Sequence, residues 1–342
     1  MSVGVCIVGS GRAGSVHAVN IHRYLAQAHV LAVVDADLAK ADALAARVGG
    51  PPTFASLTAA LDSVAFDAVV IATPTFTHSG LAVEAAARGV HVFCEKPMAL
   101  LETECRDMIR AAKEGGAIMQ IGFVRRFQPE FVEARARVEA GEIGEPMVIK
   151  SLTHGPGLPP AWAHDLERSN GMLAEVNSHD YDCVRWLVGS DVVRVYAEVS
   201  NRKGRALGVT AESFYDNAVV ALRFADETIG VIDGTCPADY GYDARVEITG
   251  SKGLLMIGEA QGLPLLMCVD RAKGGTRPVH KTWPERFAWG YVNEISSFVE
   301  CVITGSAPRV GGIDGLRAVQ AVRASNQSWI EGRPIEIRGG DD

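Results

Sequence analysis

Lys96 is the residue whose surroundings say most about chemistry. It lies in the tripeptide Glu95-Lys96-Pro97, directly after the apolar run Val90-His91-Val92-Phe93-Cys94. Such a run reads as a buried parallel strand. The proline that follows holds the lysine backbone extended and out of any helix. A lysine at the mouth of a strand can stabilise an oxygen that gains negative charge as its proton leaves. Glu175, His179 and Asp182 form a second polar group. On a helix expected from Leu173 to Val188 they fall at i, i+4 and i+7, within an arc of about 60°. Val176, Cys183, Val184 and Leu187 occupy another face and would hold that helix in a core. His179, with a reference pKa near neutrality, is the natural proton acceptor, and Glu175 is placed to orient it. Taken alone, both patterns also describe an ion pair on a surface turn and a solvated helix face.

A lysine and a histidine of this kind suit alcohol oxidation if a hydride acceptor is present. The run Val3–Val8 is followed by Gly9-Ser10-Gly11-Arg12-Ala13-Gly14 and then by a helical pattern, the context in which GxGxxG reads as a dinucleotide fingerprint. The first glycine permits the tight turn, the second the approach of backbone N–H groups to a pyrophosphate, and the third close packing of helix on strand. Asp35 ends the next strand about 20 residues on, where an acid accepts ribose hydroxyls and repels a 2′-phosphate. Ala36 and Asp37 provide no arginine for that phosphate, so NAD is expected over NADP. Thr73-Pro74 follow the run Val69-Val70-Ile71-Ala72, and Thr77-His78 open the next helix. Residues at the carboxyl ends of parallel strands face the ligand crevice. The expected cofactor-binding set is Gly9, Gly11, Arg12, Ala13, Gly14, Asp35, Thr73, Pro74, His78 and Glu95.

The elements that must position these groups alternate through the first 120 or so residues, as βαβ units do. Strands are expected at Val3–Val8, Val30–Val34, Ala68–Ile71, Val90–Phe93 and Ala117–Ile121. Helices are expected at Ala13–Leu25, Leu38–Arg47, Thr77–Arg88 and Glu102–Glu114. The pattern changes after Gly122. A helix over Pro129–Ala140 precedes a loop rich in Gly and Pro from His154 to Pro160, and then the helix that carries His179. Strand patterns follow at Val192–Val199, Ala218–Phe224, Thr228–Gly234, Ala244–Thr249 and Gly253–Ile257, joined by turns short enough for a largely antiparallel sheet. Two more helices are expected near Val292–Thr304 and Gly315–Glu331. The fold class is therefore α/β: a Rossmann domain over residues 1–122, then an α+β domain with a large, mostly antiparallel open sheet over 123–342.

Composition excludes several other classes. The 342 residues are 48% hydrophobic and 22% charged, with formal net charge −8. That balance argues against nucleic acid or an anionic membrane as partner, since both need a basic face. No apolar run approaches the roughly 18–20 residues of a membrane span. The N-terminal apolar stretch is too short for a signal peptide and runs straight into the glycine loop, so a cytoplasmic protein is expected. The seven cysteines (Cys6, Cys94, Cys105, Cys183, Cys236, Cys268 and Cys301) contain no CxxC pair. They read as free buried thiols, and no zinc ligand set can be assembled from them, so no metal is expected.

Glu95-Lys96-Pro97, the glycine fingerprint and the segment Gly171–Asp182 together resemble the glucose–fructose oxidoreductase/inositol dehydrogenase (Gfo/Idh/MocA) family. The likeness runs over essentially the whole chain, including Gly122–Phe127, Gly141–Pro146 and Tyr240–Asp243. These last segments look most like the inositol 2-dehydrogenase branch. The resemblance implies a catalytic set of Lys96, Glu175 and His179, with Arg126, His154 and Tyr240 as substrate contacts and Arg125 as a weaker candidate. It also implies a homo-oligomer, dimer or tetramer, assembled through the C-terminal sheet. Glu175 departs from the family's usual aspartate by one methylene, and the loop from Gly155 to Pro160 with Trp162 departs from an inositol enzyme. The reaction implied is NAD-dependent oxidation of a ring secondary hydroxyl, of an inositol or related cyclic polyol or sugar, to a ketone. A glycosidase-like reaction with transient oxidation and a non-catalytic NAD-sensing regulator are the alternatives. The absence of a DNA-binding module or basic arm, with both Lys96 and His179 kept, weighs against the regulator.

Overall fold

The computed structural model describes residues 2–155, 157–258 and 280–337. The chain divides into two compact units. One comprises Met1–Gln128 with Trp289–Leu316, the other Pro129–Ala288 with the chain from Arg317 onward.

The first unit is built on six strands: β1 (Val3–Val8), β2 (Ala28–Val34), β3 (Thr53–Phe54), β4 (Ala68–Ile71), β5 (His91–Glu95) and β6 (Met119–Gly122). All pair in parallel, in the order β3-β2-β1-β4-β5-β6. Every residue of β1, β4 and β6 is buried. That is why β1 and β4 read as unbroken apolar runs: helices cover both faces of a parallel sheet. The sheet order reverses between β1 and β4, and the carboxyl ends of those two strands flank the ligand crevice of such folds.

β3 and the helix Leu57–Ser63 were not expected. A two-residue strand carries no periodicity, and the short helix announces itself only by its cap, Ser56, whose Oγ accepts the Ala59 N–H at 3.2 Å. β5 runs two residues beyond the expected end at Phe93, so Glu95 is its last member.

The grouping also departs from an expected boundary after Gly122. Helix Ala288–Thr304 carries Ile295, Phe298 and Val299 on one face, and these join Val3, Val5, Ile7, Val33 and Phe93 in a single core cluster. An apolar stripe at helical spacing is what lets a distant segment complete this core.

The second unit holds β7 (Pro146–His154), β8 (Val192–Ser200), β9 (Asn217–Phe224), β10 (Ile229–Thr235), β11 (Asp243–Gly250), β12 (Leu254–Ile257) and β13 (Ile335–Glu336). Their order is β12-β11-β7-β10-β9-β8-β13, antiparallel except where β7 meets β10. β7 is central yet was not expected as a strand. Its buried positions are Ile149, Ser151 and Thr153, so two of the three inward side chains are polar and the usual alternation is inverted. On β9 and β11 the alternation is regular: Ala218, Val220, Leu222 and Phe224, and Ala244, Val246 and Ile248, face the core. The opposite face is open, and Val219, Ile229, Leu254 and Met256 are exposed. The expected α+β architecture with one open sheet is the observed one.

Six of the seven cysteines are free and buried, and Cys268 lies outside the described residues. Burial pushes the Cys6 and Cys94 thiols up and that of Cys105 to about 12. Among the described residues no helix is long and apolar enough to cross a membrane.

Candidate active site

The glycine loop leaves β1 at Val8, and Gly9 N–H donates to Val34 O at 2.7 Å, tying the turn to β2. Gly9 has φ +101°, and a Cβ there would lie 2.6 Å from Ala72 O. A Cβ at Gly14 would lie 1.8 Å from Gly9 O, so the helix can sit this close to the turn only as glycine. A Cβ at Gly11 would meet no atom within 4 Å. There is thus open space at the N-terminus of helix Arg12–Tyr24. Gly11 is its N-cap and supplies no side-chain cap, the first turn carries no acid, Arg12 is exposed and Ala13 half-buried. The buried Ser10 Oγ has no hydrogen-bond partner among the described residues. A bare helix N-terminus with room beside it fits a pyrophosphate. Asp35 is clamped at the rim: Oδ2 accepts the Ser10 N–H at 2.7 Å and Oδ1 the Asp37 N–H at 2.9 Å. The carboxylate is thus fixed beside the fingerprint, as selection of NAD requires.

The loops after β4 and β5 are neighbours because those strands pair. Thr73 Oγ1 is 2.6 Å from Thr77 Oγ1, and Pro74 caps the short 3₁₀ turn Thr75–Thr77. His78, expected on the cofactor, is instead a brace between these loops. Its ring is 1% exposed, with Nε2 2.9 Å from Thr73 O and Nδ1 2.9 Å from Pro97 O. Two carbonyl acceptors would suit an imidazolium, but burial outweighs them and lowers the His78 pKa. At neutral pH the ring therefore donates to one carbonyl at a time.

Glu95, also expected on the cofactor, is buried and engaged within the protein. It is 5% exposed, with Oε1 2.6 Å from His17 Nε2, and Oε2 accepts the Lys96 N–H at 3.2 Å. Lys96 itself is half-buried, and the Lys96–Pro97 bond is cis. His17, Glu95 and Glu294 bring possible metal-ligand atoms within 4.8 Å of one another, all buried. The 2.6 Å separation of His17 and Glu95 is that of a hydrogen bond.

In the second unit the expected helix Leu173–Val188 is two helices, Gly171–Glu175 and Ser178–Val188, separated by Val176 and Asn177. The common arc expected for Glu175, His179 and Asp182 does not exist. Glu175 ends one helix, while His179 and Asp182 lie on the other, 9% and 1% exposed. The break is imposed by Asn177 and Asp180. Asn177 is fully buried, its Nδ2 donates to Asp180 Oδ2 at 2.9 Å, and a Cβ at Gly234 would come within 2.3 Å of its Oδ1. The Asp180 carboxylate also accepts Ser151 Oγ at 2.5 Å and Thr153 Oγ1 at 2.7 Å. Asp180 thus pins the first turn of the His179 helix to β7, and sequence reasoning missed it. Its one local signal is an acid in a first helical turn behind an asparagine.

The expected substrate contacts are otherwise engaged. Arg126, 7% exposed, pairs with Asp314 at 2.9 Å within the first unit, and Arg125 is 1% exposed. His154 ends β7. Since Ser151 and Thr153 face the helix carrying Asp180, Lys150, Leu152 and His154 face the other side of the sheet. There His154 Nε2 is 3.2 Å from Asp233 Oδ1, and its Nδ1 bonds the hydroxyl of Tyr240, which donates to Asp243 Oδ2 at 3.1 Å. The structure brings His154 and the Tyr240 hydroxyl together, on the sheet face opposite Ser151 and Thr153.

Comparison with known proteins agrees with this geometry. Residues 3–123 match the oxidoreductase family with an NAD-binding Rossmann fold, and residues 131–256 match the GFO/IDH/MocA C-terminal domain. An inositol 2-dehydrogenase of Rhizobium meliloti is 34% identical over 339 residues, covering 98% of this chain and 100% of the relative. A scyllo-inositol 2-dehydrogenase (NAD(+)) of Bacillus subtilis is 31% identical over 334 residues, covering 97% and 95%. The crystal structure of scyllo-inositol dehydrogenase from Lactobacillus casei with bound NAD(H) and scyllo-inositol superposes with a TM-score of 0.88 at 26% identity, covering 98% and 99%. A glycine cradle for a pyrophosphate, an acid set against a 2′-phosphate and full-length likeness in both units lead to one conclusion: the chain belongs to the Gfo/Idh/MocA family of oxidoreductases, and its cofactor is NAD.

Proposed function

We propose that this enzyme oxidises a secondary hydroxyl on the ring of an inositol, or of a related cyclic polyol, to a ketone. Bound NAD supplies the hydride acceptor. Lys96 stabilises the oxygen as it acquires alkoxide character, and His179 takes the hydroxyl proton. Glu175, on its own short helix, orients His179 or holds a neighbouring substrate hydroxyl. The observation that carries this reading is the seating of Lys96 at the carboxyl end of β5, on a loop braced by His78 to Thr73 at the end of β4, in the sheet that opens the glycine cradle. Inositol dehydrogenase activity in relatives alike over their full length supports the substrate class.

The test is a panel of inositols, monosaccharides and anhydrosugars, each supplied with NAD or NADP. Stoichiometric NADH formation with an inositol, and little with NADP, is the expected result. Sugar release without net NADH would replace this reading with the glycosidase-like one. No reaction with any polyol, in protein that binds NADH, would refute the substrate class. We also propose a homo-oligomer joined through the open sheet face, supported by the exposed Val219, Ile229, Leu254 and Met256 on that face.

A further inference from the structure

Glu95 and His17 are buried titratable groups that the proposed chemistry does not use. We propose that His17 is a positioning residue for Lys96, acting through Glu95. The Glu95 carboxylate has two engagements. Oε1 receives the His17 Nε2–H at 2.6 Å, and Oε2 receives the backbone N–H of Lys96 at 3.2 Å. A Cβ at Gly122 would come within 3.1 Å of Oε2, so the carboxylate is also packed on that side. His17 has no freedom of its own. It is fully buried, and its ring meets Phe93 and Tyr291 edge-on at centroid distances of 4.8 and 5.6 Å. Its Nδ1 has no hydrogen-bond partner among the described residues, so the bond to Glu95 is the one this ring is seen to make.

His17 lies one turn beyond Gly14, on the helix whose N-terminus forms the pyrophosphate cradle. The pair therefore ties that helix to the residue preceding the lysine. Glu294 sharpens the argument, since its carboxylate lies within the same 4.8 Å group. With the imidazole gone, two buried carboxylates would face each other without the donor that holds Glu95 in place. Glu95 would swing away, and the Lys96 backbone would lose its anchor.

The inference rests on Lys96 acting in catalysis, so Lys96→Ala is measured alongside. The decisive pair is His17→Leu and His17→Gln. Both lose the aromatic contacts of the ring, but glutamine keeps an N–H donor at about the reach of Nε2. With the best polyol of the panel, His17→Leu should lower kcat on the order of 10–100-fold, the scale on which a small misplacement of a catalytic group acts. NADH affinity should stay within about threefold, and His17→Gln should keep most of the turnover. Equal losses in both variants would assign His17 to packing and overturn the inference, as would full turnover in His17→Leu. Should His17→Leu not fold, Glu95→Gln serves: its amide accepts from His17 through Oε1 but cannot accept from the Lys96 N–H. Turnover reduced about tenfold or more with NADH binding kept supports the inference, and unchanged turnover refutes it. Full activity in Lys96→Ala would sink the catalytic reading itself. Loss there, beside full activity in His17→Leu, would sink only this one.

Discussion

Lys96 can be tested without disturbing the glycine fingerprint or Asp35, because these belong to other loops. Lys96→Ala should bind NADH nearly as the parent does, while turnover falls on the order of 10²–10⁴-fold. Fluorescence titration beside steady-state rates checks both halves of that statement. His78 makes a different prediction, about stability. Burial depresses its pKa in the folded state, so below the unfolded value of about 6.5 the unfolded chain binds a proton that the folded chain refuses. Stability must then fall as pH drops from about 6.5 toward the folded pKa, by up to about 1.4 kcal/mol per pH unit for one proton. Urea denaturation at pH 7.5 and at successively lower pH, of the parent and of His78→Gln, measures this; the variant should show the shallower loss.

At the scale of elements, the decisive device is the break between Gly171–Glu175 and Ser178–Val188. Asp180 gathers the hydroxyls of Ser151 and Thr153 and the Asn177 amide, and in doing so sets where His179 begins its turn. Asp180→Ala would leave those buried donors without their acceptor, at about 1–3 kcal/mol for each group left unsatisfied. Chemical denaturation should register that loss. NADH binding should hardly change, because the glycine fingerprint and Asp35 lie on other elements. The same network explains why β7 was illegible as a strand. Hydroxyl side chains fill inward positions where a pattern reader expects Val or Ile.

At the scale of the whole molecule, the regular alternation of β9 and β11 leaves one sheet face open with exposed apolar side chains. Ile229→Glu combined with Val219→Glu should reduce the mass found by light scattering to that of a smaller species. The far-ultraviolet dichroism should stay unchanged, since neither side chain enters a core. An unchanged mass would remove this face as the assembly surface. The net charge of −8 acts at this scale too, favouring solubility and opposing association with polyanions.

What the sequence determined by itself was whatever depends on neighbours in the chain. The fingerprint glycines are required by backbone approach within one turn, Asp35 by its place at a strand end, and the parallel strands by unbroken apolar runs. These sufficed for the Rossmann unit and NAD, while the family was legible only in the resemblance carried by Glu95-Lys96-Pro97 and Gly171–Asp182 together with the fingerprint. Tertiary structure decided where polar side chains spend their hydrogen bonds. It turned His78 and Glu95 inward, engaged Arg126 with Asp314, put His154 on the far face of the sheet, broke the His179 helix and returned a C-terminal helix to the first core. Each of these depends on a partner far away in the chain. A buried polar group must find such a partner, and no local periodicity says which one it will be.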